Sequence, residues 1–275
     1  MDRTNAETRQ PMRERLELTD RVAVVTGAGQ GIGRATALAL ADLGAHVAVC
    51  DMVSDGLDDT EREIEARGRR CVRADIDVRD DELVGAFFAD VDSQLGHIDV
   101  LVNNAGGGFW SAFDGVSPRG ENTLVRENFG TVASCVRHGV PRMNDGAAIV
   151  NVSSVEAFHA APGFAVYAAM KAAVQQFTQS LAVELGGRGI RVNCVAPDMI
   201  PTPGDADLAA AADPLIEGLY PTPLRRLGTP EECAAVICFL ASDLASFVTG
   251  STLPVDGGTV AAGSWKVAHD GSWKM

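Results

Sequence analysis

Tyr167 and Lys171 are the residues of this chain best suited to proton chemistry, and both types are scarce, with only two Tyr and three Lys among 275 residues. The surrounding sequence is rich in Ala and predicts a helix, in which side chains four residues apart lie on the same face. A lysine ammonium beside a phenol stabilises the phenolate and lowers the tyrosine pKa from its ordinary value near ~10. Such a pair can exchange a proton with a substrate oxygen as a general acid or base.

A glycine-rich segment near the N-terminus reads Thr-Gly-Ala-Gly-Gln-Gly-Ile-Gly over residues 26–33. It lies between a predicted strand and a predicted helix, so its glycines allow a tight turn and the helix N-terminus offers free amides to a pyrophosphate. The pattern is TGxxxGxG, for which a plain turn is the alternative interpretation when the segment is taken alone. The cofactor-binding residues that we expect in this loop are Gly27, Gln30, Gly31, Ile32 and Gly33.

Asp51 ends the second predicted strand, 20 residues after Gly31. A carboxylate at this place can accept hydrogen bonds from both hydroxyls of an adenosine ribose, and it repels a 2′-phosphate. No Arg or Lys lies inside the glycine loop or directly after Asp51, so we expect NAD rather than NADP as the cofactor. Arg34, in the first helical turn, is the nearest cation and can either meet a phosphate or point to solvent.

The composition fits one domain and excludes several classes of partner. With 46% hydrophobic residues, a chain of 275 residues can bury one large core. The net charge of −14, from 37 acidic and 23 basic residues, argues against binding nucleic acid or an anionic membrane surface.

The six Cys show no CxxC pair and no metal-like spacing with the five His, which is typical of a reducing compartment. No apolar run approaches ~18 residues and the N-terminus is charged rather than signal-like, so we expect a cytoplasmic protein.

Short β-branched runs alternate with longer helical patterns along the chain. The predicted strands cover residues 22–26, 46–51, 70–75, 98–103, 148–153, 190–195 and 252–255, and the predicted helices cover 32–43, 58–67, 80–95, 165–185 and 230–240. This alternation predicts parallel strands with right-handed crossovers. Several strands are apolar on both faces, as expected when helices cover both sides of a sheet. The expected fold is α/β, a doubly wound parallel seven-stranded sheet of the Rossmann type in a single domain.

Three segments fall outside this alternation: an N-terminal arm (1–18), a Pro-rich stretch (197–223) and a tail (259–275), which leave 19–258 as the domain. We interpret the Pro-rich stretch as a lid over a substrate, with an ordered surface excursion as the alternative. The tail contains Trp265 and Trp273, and we expect it to pack across a subunit interface, with terminal disorder as the alternative.

From about residue 19 to Gly258 the chain resembles the short-chain dehydrogenase/reductase family, whose motifs occur here in the family's order. Beyond the glycine loop and Asp51, the matching segments are Asp77-Val78, Asn103-Asn104-Ala105-Gly106, Asn128, Ser154, Tyr167, Lys171, and Pro197 with Thr202. The resemblance implies that Asp77, Val78, Asn104, Ala105, Gly106, Tyr167, Lys171, Pro197 and Thr202 contact the cofactor. Asp198 stands where the family usually has Gly, which leaves the backbone conformation of that loop open.

The resemblance also implies catalytic roles. Tyr167 would exchange the substrate proton, Ser154 would hydrogen-bond the carbinol or carbonyl oxygen, and Lys171 would bind the nicotinamide ribose and lower the tyrosine pKa. Asn128 would hold a proton-relay water, although a satisfied polar residue within a helix is the alternative. Ser153 adjoins Ser154, and the choice between them depends on the spacing of thirteen residues to Tyr167. Hydride moves to or from the nicotinamide ring, and no metal is needed.

Residues that could determine the substrate lie close to these motifs. Glu156 is unusual because the family commonly has a small residue two positions after the catalytic serine. It can bind a substrate hydroxyl or amine, or it can point away and pair with an Arg. Phe109 and Trp110 follow the glycines at 106–108, where large apolar side chains would line the pocket mouth. We therefore expect a bulky or cyclic, mostly apolar alcohol or ketone, such as a steroid or terpenoid.

The expected function is that of an NAD-dependent oxidoreductase that interconverts a secondary alcohol and a ketone. A 3-oxoacyl thioester reductase is the alternative, against which Asp51 counts because reductive biosynthesis usually uses NADPH. A non-catalytic NAD-sensing protein is a second alternative, against which the four intact catalytic positions count. The resemblance further implies a homo-oligomer, often a tetramer.

Overall fold

In the computed structural model, which describes residues 11–205 and 218–275, seven parallel strands form one sheet. The strands are β1 (Val22–Thr26), β2 (His46–Asp51), β3 (Cys71–Asp75), β4 (Ile98–Asn103), β5 (Met143–Val152), β6 (Arg191–Pro197) and β7 (Thr252–Val255). Their order across the sheet is β3-β2-β1-β4-β5-β6-β7, and every neighbouring pair is parallel. The predicted doubly wound Rossmann sheet is confirmed. Residues 206–217 of the predicted lid and 1–10 of the predicted arm lie outside the described residues.

Helices connect the strands. They are α1 (Met12–Leu16), α2 (Gly31–Asp42), α3 (Ser54–Ala66), α4 (Asp81–Leu95), α5 (Pro118–Val125), α6 (Thr131–Gly139), α7 (Ala165–Leu185), α8 (Pro230–Ala241) and α9 (Thr259–Ala262), and a π-helical turn (Arg126–Gly130) joins α5 to α6. The predicted helices correspond to α2, α3, α4, α7 and α8. The predicted ranges did not include α5 and α6, because Gly120 and Gly130 interrupt the helical pattern of that segment.

Apolar side chains cover both faces of the sheet. Successive residues of β1 point to opposite sides, so that Ala23 and Val25 join one core cluster while Val22 and Val24 join the other. Helices α2, α3 and α8 cover the first face, and α4, α6 and α7 cover the second. Burial on both sides explains why the strands read as continuous apolar runs rather than as an alternating pattern.

The chain order of the strands reverses between β1 and β4, which are neighbours in the sheet. In a doubly wound sheet, the loops that leave the carboxyl ends of two such strands diverge to opposite faces and open a crevice. Here those loops are the glycine loop after β1 and the segment that begins at Asn104 after β4. The fold therefore places the sequence motifs at one edge of the sheet.

The fifth strand is longer than the sequence predicted. It begins at Met143 rather than near residue 148, and Met143 pairs with Ile98 before the register shifts and Val100 pairs with Ala148. The intervening residues 144–146 are Asn, Asp and Gly, which hide the start of the strand because they break its apolar pattern.

The tail after Gly258 folds back onto its own chain. It contains a two-stranded antiparallel hairpin formed by β8 (Lys266–Val267) and β9 (Trp273–Lys274). The Tyr220 amide donates to the Val267 carbonyl at 2.8 Å, and the His269 amide donates to the Gly218 carbonyl at the same distance. The tail thus pairs with residues 218–220, which belong to the C-terminal part of the predicted lid.

The two tail tryptophans keep much of their surface in solvent. Trp265 is 49% exposed and Trp273 is 56% exposed. Their packing across a subunit interface stays a prediction. Within residues 11–205 and 218–275, no helix is both long and apolar enough to cross a membrane.

Gly33 provides a test of how α2 is seated on the glycine loop. A Cβ at this position would lie 1.9 Å from the Gly27 carbonyl oxygen, so Gly33→Ala should lower the free energy of unfolding by roughly 1–3 kcal/mol. Gly186→Ala is the matched control, because Gly186 has φ −58° and ψ −29° and an added Cβ meets nothing within 4 Å. The control should raise stability by about 0.4–1 kcal/mol. Urea unfolding followed by circular dichroism measures both, and equal effects would contradict the packing argument.

Candidate active site

Asn104 ties the two loops of the crevice together. Its side-chain amide donates to the carbonyls of Thr26 and Gly27, each at 3.0 Å. In return the Thr26 hydroxyl accepts from the backbone amides of Asn104 at 3.1 Å and Ala105 at 3.0 Å. These four bonds fix the glycine loop against the segment that follows β4. Sequence reasoning did not assign Thr26 a role beyond its place in the glycine pattern.

Asp51 lies at the end of β2 beside the glycine loop. Its Oδ2 accepts from the Gly29 amide at 2.8 Å, and its Oδ1 accepts from the Val53 amide at 3.1 Å. Both contacts hold the carboxylate at the open edge of the sheet, where it remains partly exposed. Each carboxylate oxygen keeps a further lone pair with which it can accept a hydrogen bond from a ribose hydroxyl.

Arg34, the nearest cation to the glycine loop in the sequence, forms an ion pair. Its Nη2 atom lies 2.5 Å from Oε1 of Glu63 on α3. The guanidinium therefore points to α3 rather than to Asp51, and Glu63 compensates its charge. The sequence could not reveal this partner, because it is 29 residues away and depends on how α3 packs beside α2.

Asp77 and Val78 follow β3 at the same edge. The Arg79 guanidinium donates to both oxygens of the Asp77 carboxylate at 2.8–2.9 Å, and these hydrogen bonds lower the pKa of Asp77. The Ile76 amide donates to the Asp51 carbonyl at 3.0 Å, so the chain after β3 runs beside the end of β2. Val78 packs against the core cluster on the α4 side.

The segment after β6 lies over the glycine loop. A Cβ on Gly31 would lie 3.0 Å from Cβ of Thr202, and a Cβ on Gly204 would lie 3.2 Å from Nε2 of Gln30. Pro197 ends β6 on the same side, pairing with Val255. The glycine loop is therefore enclosed between Asn104 on one side and Thr202 on the other.

Asp198 does not require the glycine that the family pattern has at its position. Its amide donates to the Val255 carbonyl at 3.2 Å and so extends the strand pairing, and the left-handed residue of the loop is instead Met199, with φ 52°. Thr259 Oγ1 donates to the Asp198 carboxylate at 2.7 Å. Burial nevertheless raises the pKa of Asp198, and the neighbouring Glu156 carboxylate raises it further.

Lys171 is buried at the centre of the candidate site. Its side chain is only 4% exposed, and Nζ donates to the Val152 carbonyl at 3.1 Å. Burial lowers the pKa of Lys171 to about 8, while the negative charges of Glu127 and Glu156 act in the opposite direction. The ammonium lies 5.4 Å from the centroid of the Tyr167 ring, so the positive charge and the phenol share one face of α7.

The two neighbouring serines have different surroundings. Ser153 Oγ donates to the backbone carbonyl of Lys171 at 2.9 Å and so binds β5 to α7. Ser154 instead caps the 3₁₀ turn Val155–Ala157, which packs against α7. Ser153 thus has a backbone partner on α7, and the assignment of Ser154 as the residue that meets a substrate stays a prediction.

Asn128 lies in the π-helical turn and is completely buried. Its Nδ2 donates to the carbonyls of Gly107 at 2.8 Å and Leu124 at 3.0 Å. Its Oδ1 is buried and accepts no hydrogen bond from the described residues. A Cβ added to Gly106 would lie 3.1 Å from this Oδ1 and 3.3 Å from the Lys171 ammonium, so the two groups flank the same small residue. A buried acceptor of this kind calls for a hydrogen-bond donor.

Glu156 accepts a hydrogen bond from the Ser154 hydroxyl. Of the two alternatives from the sequence, pairing with an Arg is not seen within residues 11–205 and 218–275, where no ion pair includes this carboxylate. The side chain faces the same region as Lys171 and Asp198, whose charges it influences.

Exposed aromatic side chains lie in the segments that follow Gly108 and Ser154. Phe109 and Trp110 are 41% and 60% exposed, and sequence reasoning missed two further exposed rings at Phe113 and Phe158. Phe109 and Phe113 line a small apolar cavity together with Phe164, whose ring centroid is 6.1 Å from that of Tyr167. In the sequence, Phe113 and Phe158 are distinguished only by lying within a few residues of a motif. The Phe164 ring thus borders this cavity on one side and contacts the Tyr167 ring on the other.

These residues fit a nicotinamide dinucleotide. The N-terminus of α2 has no side-chain cap, which leaves its first amides available to a pyrophosphate. Asp51 offers acceptors to a ribose, and the Lys171 ammonium offers donors to a second one. The glycine loop between Asn104 and Thr202 provides the close backbone approach that a diphosphate needs.

A family model described as enoyl-(acyl carrier protein) reductase matches residues 27–260. The cyclohexanol dehydrogenase of Rhodococcus sp. (strain TK6) is 39% identical in an alignment 271 residues long, and the match covers 90% of this chain and 98% of the relative. The 3-oxoacyl-(acyl-carrier-protein) reductase of Thermotoga maritima is 38% identical over 247 residues, which cover 89% of this chain and 100% of the relative. A solved structure of 7α-hydroxysteroid dehydrogenase complexed with NADH and 7-oxo glycochenodeoxycholic acid has a TM-score of 0.85 and 33% identity, and covers 90% of this chain and 98% of its own.

The low pKa of Lys171 predicts a pH dependence of stability. The unfolded chain keeps this lysine protonated up to its ordinary pKa of 10.5, whereas the folded protein releases the proton at about 8. Between these values the unfolded state binds more protons, so the Lys171 contribution to the free energy of unfolding should rise with pH, by roughly 3 kcal/mol across the window. The measurement is urea unfolding of the protein and of Lys171→Met from pH 7.5 to 10.5.

Lys266→Met is the matched control, because Lys266 is exposed in the folded protein. Its difference from the unmodified protein should stay flat over the same pH range. A flat difference for Lys171→Met as well would contradict the role of burial in lowering the lysine pKa.

Proposed function

The chain belongs to the short-chain dehydrogenase/reductase family and is a nicotinamide-dependent oxidoreductase, and we propose that it uses NAD to interconvert a secondary alcohol and a ketone. The observation that carries this proposal is the buried Lys171 ammonium 5.4 Å from the Tyr167 ring on α7, the helix against which the Ser154 turn packs. Proton exchange at a carbinol oxygen requires a general acid/base with a shifted pKa and a hydroxyl that donates a hydrogen bond, and the candidates for both lie at one edge of the sheet.

In the proposed reaction each side chain acts on the substrate oxygen or on its proton. The cofactor, when bound, accepts or supplies the hydride at the substrate carbon. Tyr167 takes the carbinol proton during oxidation and returns it during reduction, and Lys171 stabilises the phenolate form of Tyr167 by its charge. Ser154 hydrogen-bonds the substrate oxygen. The unpaired Oδ1 of Asn128 supports its proposed role of holding a water molecule through which protons reach solvent.

The preference for NAD over NADP rests on the charges around Asp51. A 2′-phosphate would meet this carboxylate and would need a cation to compensate for it. Arg34 is bound to Glu63, and Arg79 is bound to Asp77, so both nearby guanidinium groups already have acidic partners. The solved hydroxysteroid dehydrogenase is complexed with NADH, which is consistent with the same cofactor here.

The proposed substrate is a bulky or cyclic, mostly apolar alcohol. The exposed rings of Phe109, Trp110, Phe113 and Phe158 provide apolar and aromatic surface near the site, suited to an alicyclic body. Cyclohexanol dehydrogenase, named for a cyclic alcohol, and 7α-hydroxysteroid dehydrogenase, named for a polycyclic one, are both among the similar proteins.

A 3-oxoacyl thioester reductase is the second candidate. It is favoured by the Thermotoga maritima relative, whose whole length matches this chain. Asp51 counts against it because it disfavours the 2′-phosphate of the cofactor that reductive biosynthesis usually draws on. A non-catalytic NAD-sensing protein has less support, because such a protein has no need of Ser154, Tyr167, Lys171 and Asn128 together.

We also propose that the protein is a cytoplasmic homo-oligomer, with a tetramer as the family expectation. Val183 on α7 is 82% exposed and Phe247 after α8 is fully exposed, and such apolar side chains are common at subunit contacts. The six cysteines are all unpaired, which suits a reducing compartment.

The role of Tyr167 predicts a selective loss of chemistry. With cyclohexanol and NAD, Tyr167→Phe should lower kcat by about 10²- to 10⁴-fold, because the acid/base is removed. Binding of NADH, followed by its fluorescence, should change by less than about 3-fold, because most of the cofactor contacts remain. Tyr220→Phe is the matched control, since Tyr220 is the only other tyrosine and it stacks on His269 in the tail. Similar losses of kcat in both variants would contradict the assignment.

Asp51 predicts the cofactor preference. Asp51→Ser should lower kcat/KM for NAD by about 10- to 100-fold, the loss expected when hydrogen bonds to a charged group are removed. The same change should raise kcat/KM for NADP, because the repulsion of the 2′-phosphate is gone. Asp75→Ser is the matched control, since Asp75 ends β3 in register with Asp51 and is exposed. A preference for NADP in the unmodified protein would overturn the argument and favour the thioester reductase.

A further inference from the structure

Glu156 and Ser154 form a pair at the edge of the candidate site. Ser154 caps the 3₁₀ turn Val155–Ala157, and its hydroxyl donates to the Glu156 carboxylate. The Glu156 amide approaches the same serine oxygen at 3.4 Å. Ser154 is 6% exposed, so solvent has little access to its hydroxyl.

The charges around this pair make the region rich in acceptors. Lys171 on α7 and Asp198 after β6 are close enough to Glu156 for their ionisation to respond to its charge. Glu127 adds a second negative charge towards Lys171, and Asp256 adds one towards Asp198. Lys171 is the single cation in this set, and its ammonium already donates to the Val152 carbonyl.

The hydrogen bond between Ser154 and Glu156 uses the proton that Ser154 would otherwise donate to the substrate. A hydroxyl has one proton to donate, and an ionised carboxylate can only accept. While Ser154 donates to Glu156, it has no proton left for the carbonyl or developing alkoxide oxygen of a substrate. Ser154 becomes a donor to the substrate only when its hydroxyl turns away from Glu156, and the loss of that hydrogen bond is offset when another group donates to the carboxylate in its place.

We propose that the productive substrate supplies this hydrogen bond itself, through a second donor, a hydroxyl or amino group, placed close to the reacting carbinol. This inference rests on the proposed function and narrows its substrate class from a plain cyclic alcohol to a diol or amino alcohol. The second donor replaces Ser154 as the hydrogen-bond partner of Glu156, so that the Ser154 hydroxyl can turn to the reacting oxygen. Glu156 then contacts the substrate and selects for it.

The closeness of the two side chains limits where the second donor can lie. Ser154 Oγ and the Glu156 carboxylate are in hydrogen-bond contact, and each would hold its substrate atom at about 2.7–3.0 Å. The two ring carbons that carry the bound oxygen or nitrogen atoms are then separated by one or two carbon–carbon bonds, as in a 1,2- or 1,3-substituted ring. The ionised Glu156 carboxylate also accepts a hydrogen bond from a protonated amine at this place.

The test compares kcat/KM with NAD for cyclohexanol, cyclohexane-1,2-diol and 2-aminocyclohexanol. The unmodified enzyme should favour the diol or the amino alcohol over cyclohexanol by about 10- to 100-fold, the range for a hydrogen bond to a charged acceptor. In Glu156→Gln and Glu156→Ala this preference should fall to within about 3-fold. Oxidation of cyclohexanol should become faster in Glu156→Ala, because Ser154 is released, whereas the amide oxygen in Glu156→Gln still accepts from Ser154. A purely structural role for Glu156 predicts a loss in both variants.

Asp198→Asn is the matched control, because it removes a neighbouring carboxylate without touching Ser154, and it should leave the preference unchanged. Cyclohexanol turned over by the unmodified enzyme at least as well as both other alcohols would overturn the inference while leaving the proposed function intact. Binding of NADH without oxidation of any of the three would count against the proposed function, and the inference would fall with it. Preference for the diol alone, or for the amino alcohol alone, identifies the donor.

Discussion

Burial of the Lys171 ammonium is the constraint on which the rest of the site depends. A charged amine away from water needs hydrogen-bond acceptors and nearby negative charge. The Val152 carbonyl at the end of β5 is the acceptor, and Glu127 and Glu156 supply the negative charge. Because Nζ is bound to the edge of the sheet, the face of α7 that carries it is fixed there. Tyr167, one helical turn earlier, is fixed beside the same edge.

A buried chain of polar side chains keeps α7 in this position. Asn103 at the end of β4 donates to Asn151 on β5, and Asn151 donates to Thr178 on α7, each at 2.8 Å. Ser153 adds a bond from β5 to the Lys171 carbonyl. Polar groups inside a core restrict the allowed arrangements more sharply than apolar contacts do, because each must find its partner. The network therefore fixes the depth and rotation of the helix that carries the candidate acid/base, while the apolar clusters provide the bulk of the packing.

The sequence predicted the parts of the molecule that depend on local pattern or on spacing. The strands read as apolar runs because both faces of the sheet are covered. The spacing of thirteen residues to Tyr167 gave the choice between Ser153 and Ser154, which stays a prediction. Contacts that depend on packing could not be predicted. The pair of Arg34 with Glu63 requires the arrangement of α2 against α3, and the contact of Glu156 with Ser154 requires a side-chain direction. The tail hairpin was also missed, because its short strands carry no run of apolar residues.

Because of the π-helical turn at Arg126–Gly130, the geometry of the site depends on the number of residues in this helical segment as well as on their types. Such a turn holds one residue more than an ordinary helical turn, and the surplus lets Asn128 face the site while the residues of α6 keep their buried face. Deleting a single residue between α5 and α6 would restore regular pitch and rotate one part against the other by about 100°. Either Asn128 or the α6 face would then lose its contacts. When homologous chains are aligned, a one-residue gap at this place therefore marks a different site geometry, even where every motif residue is retained.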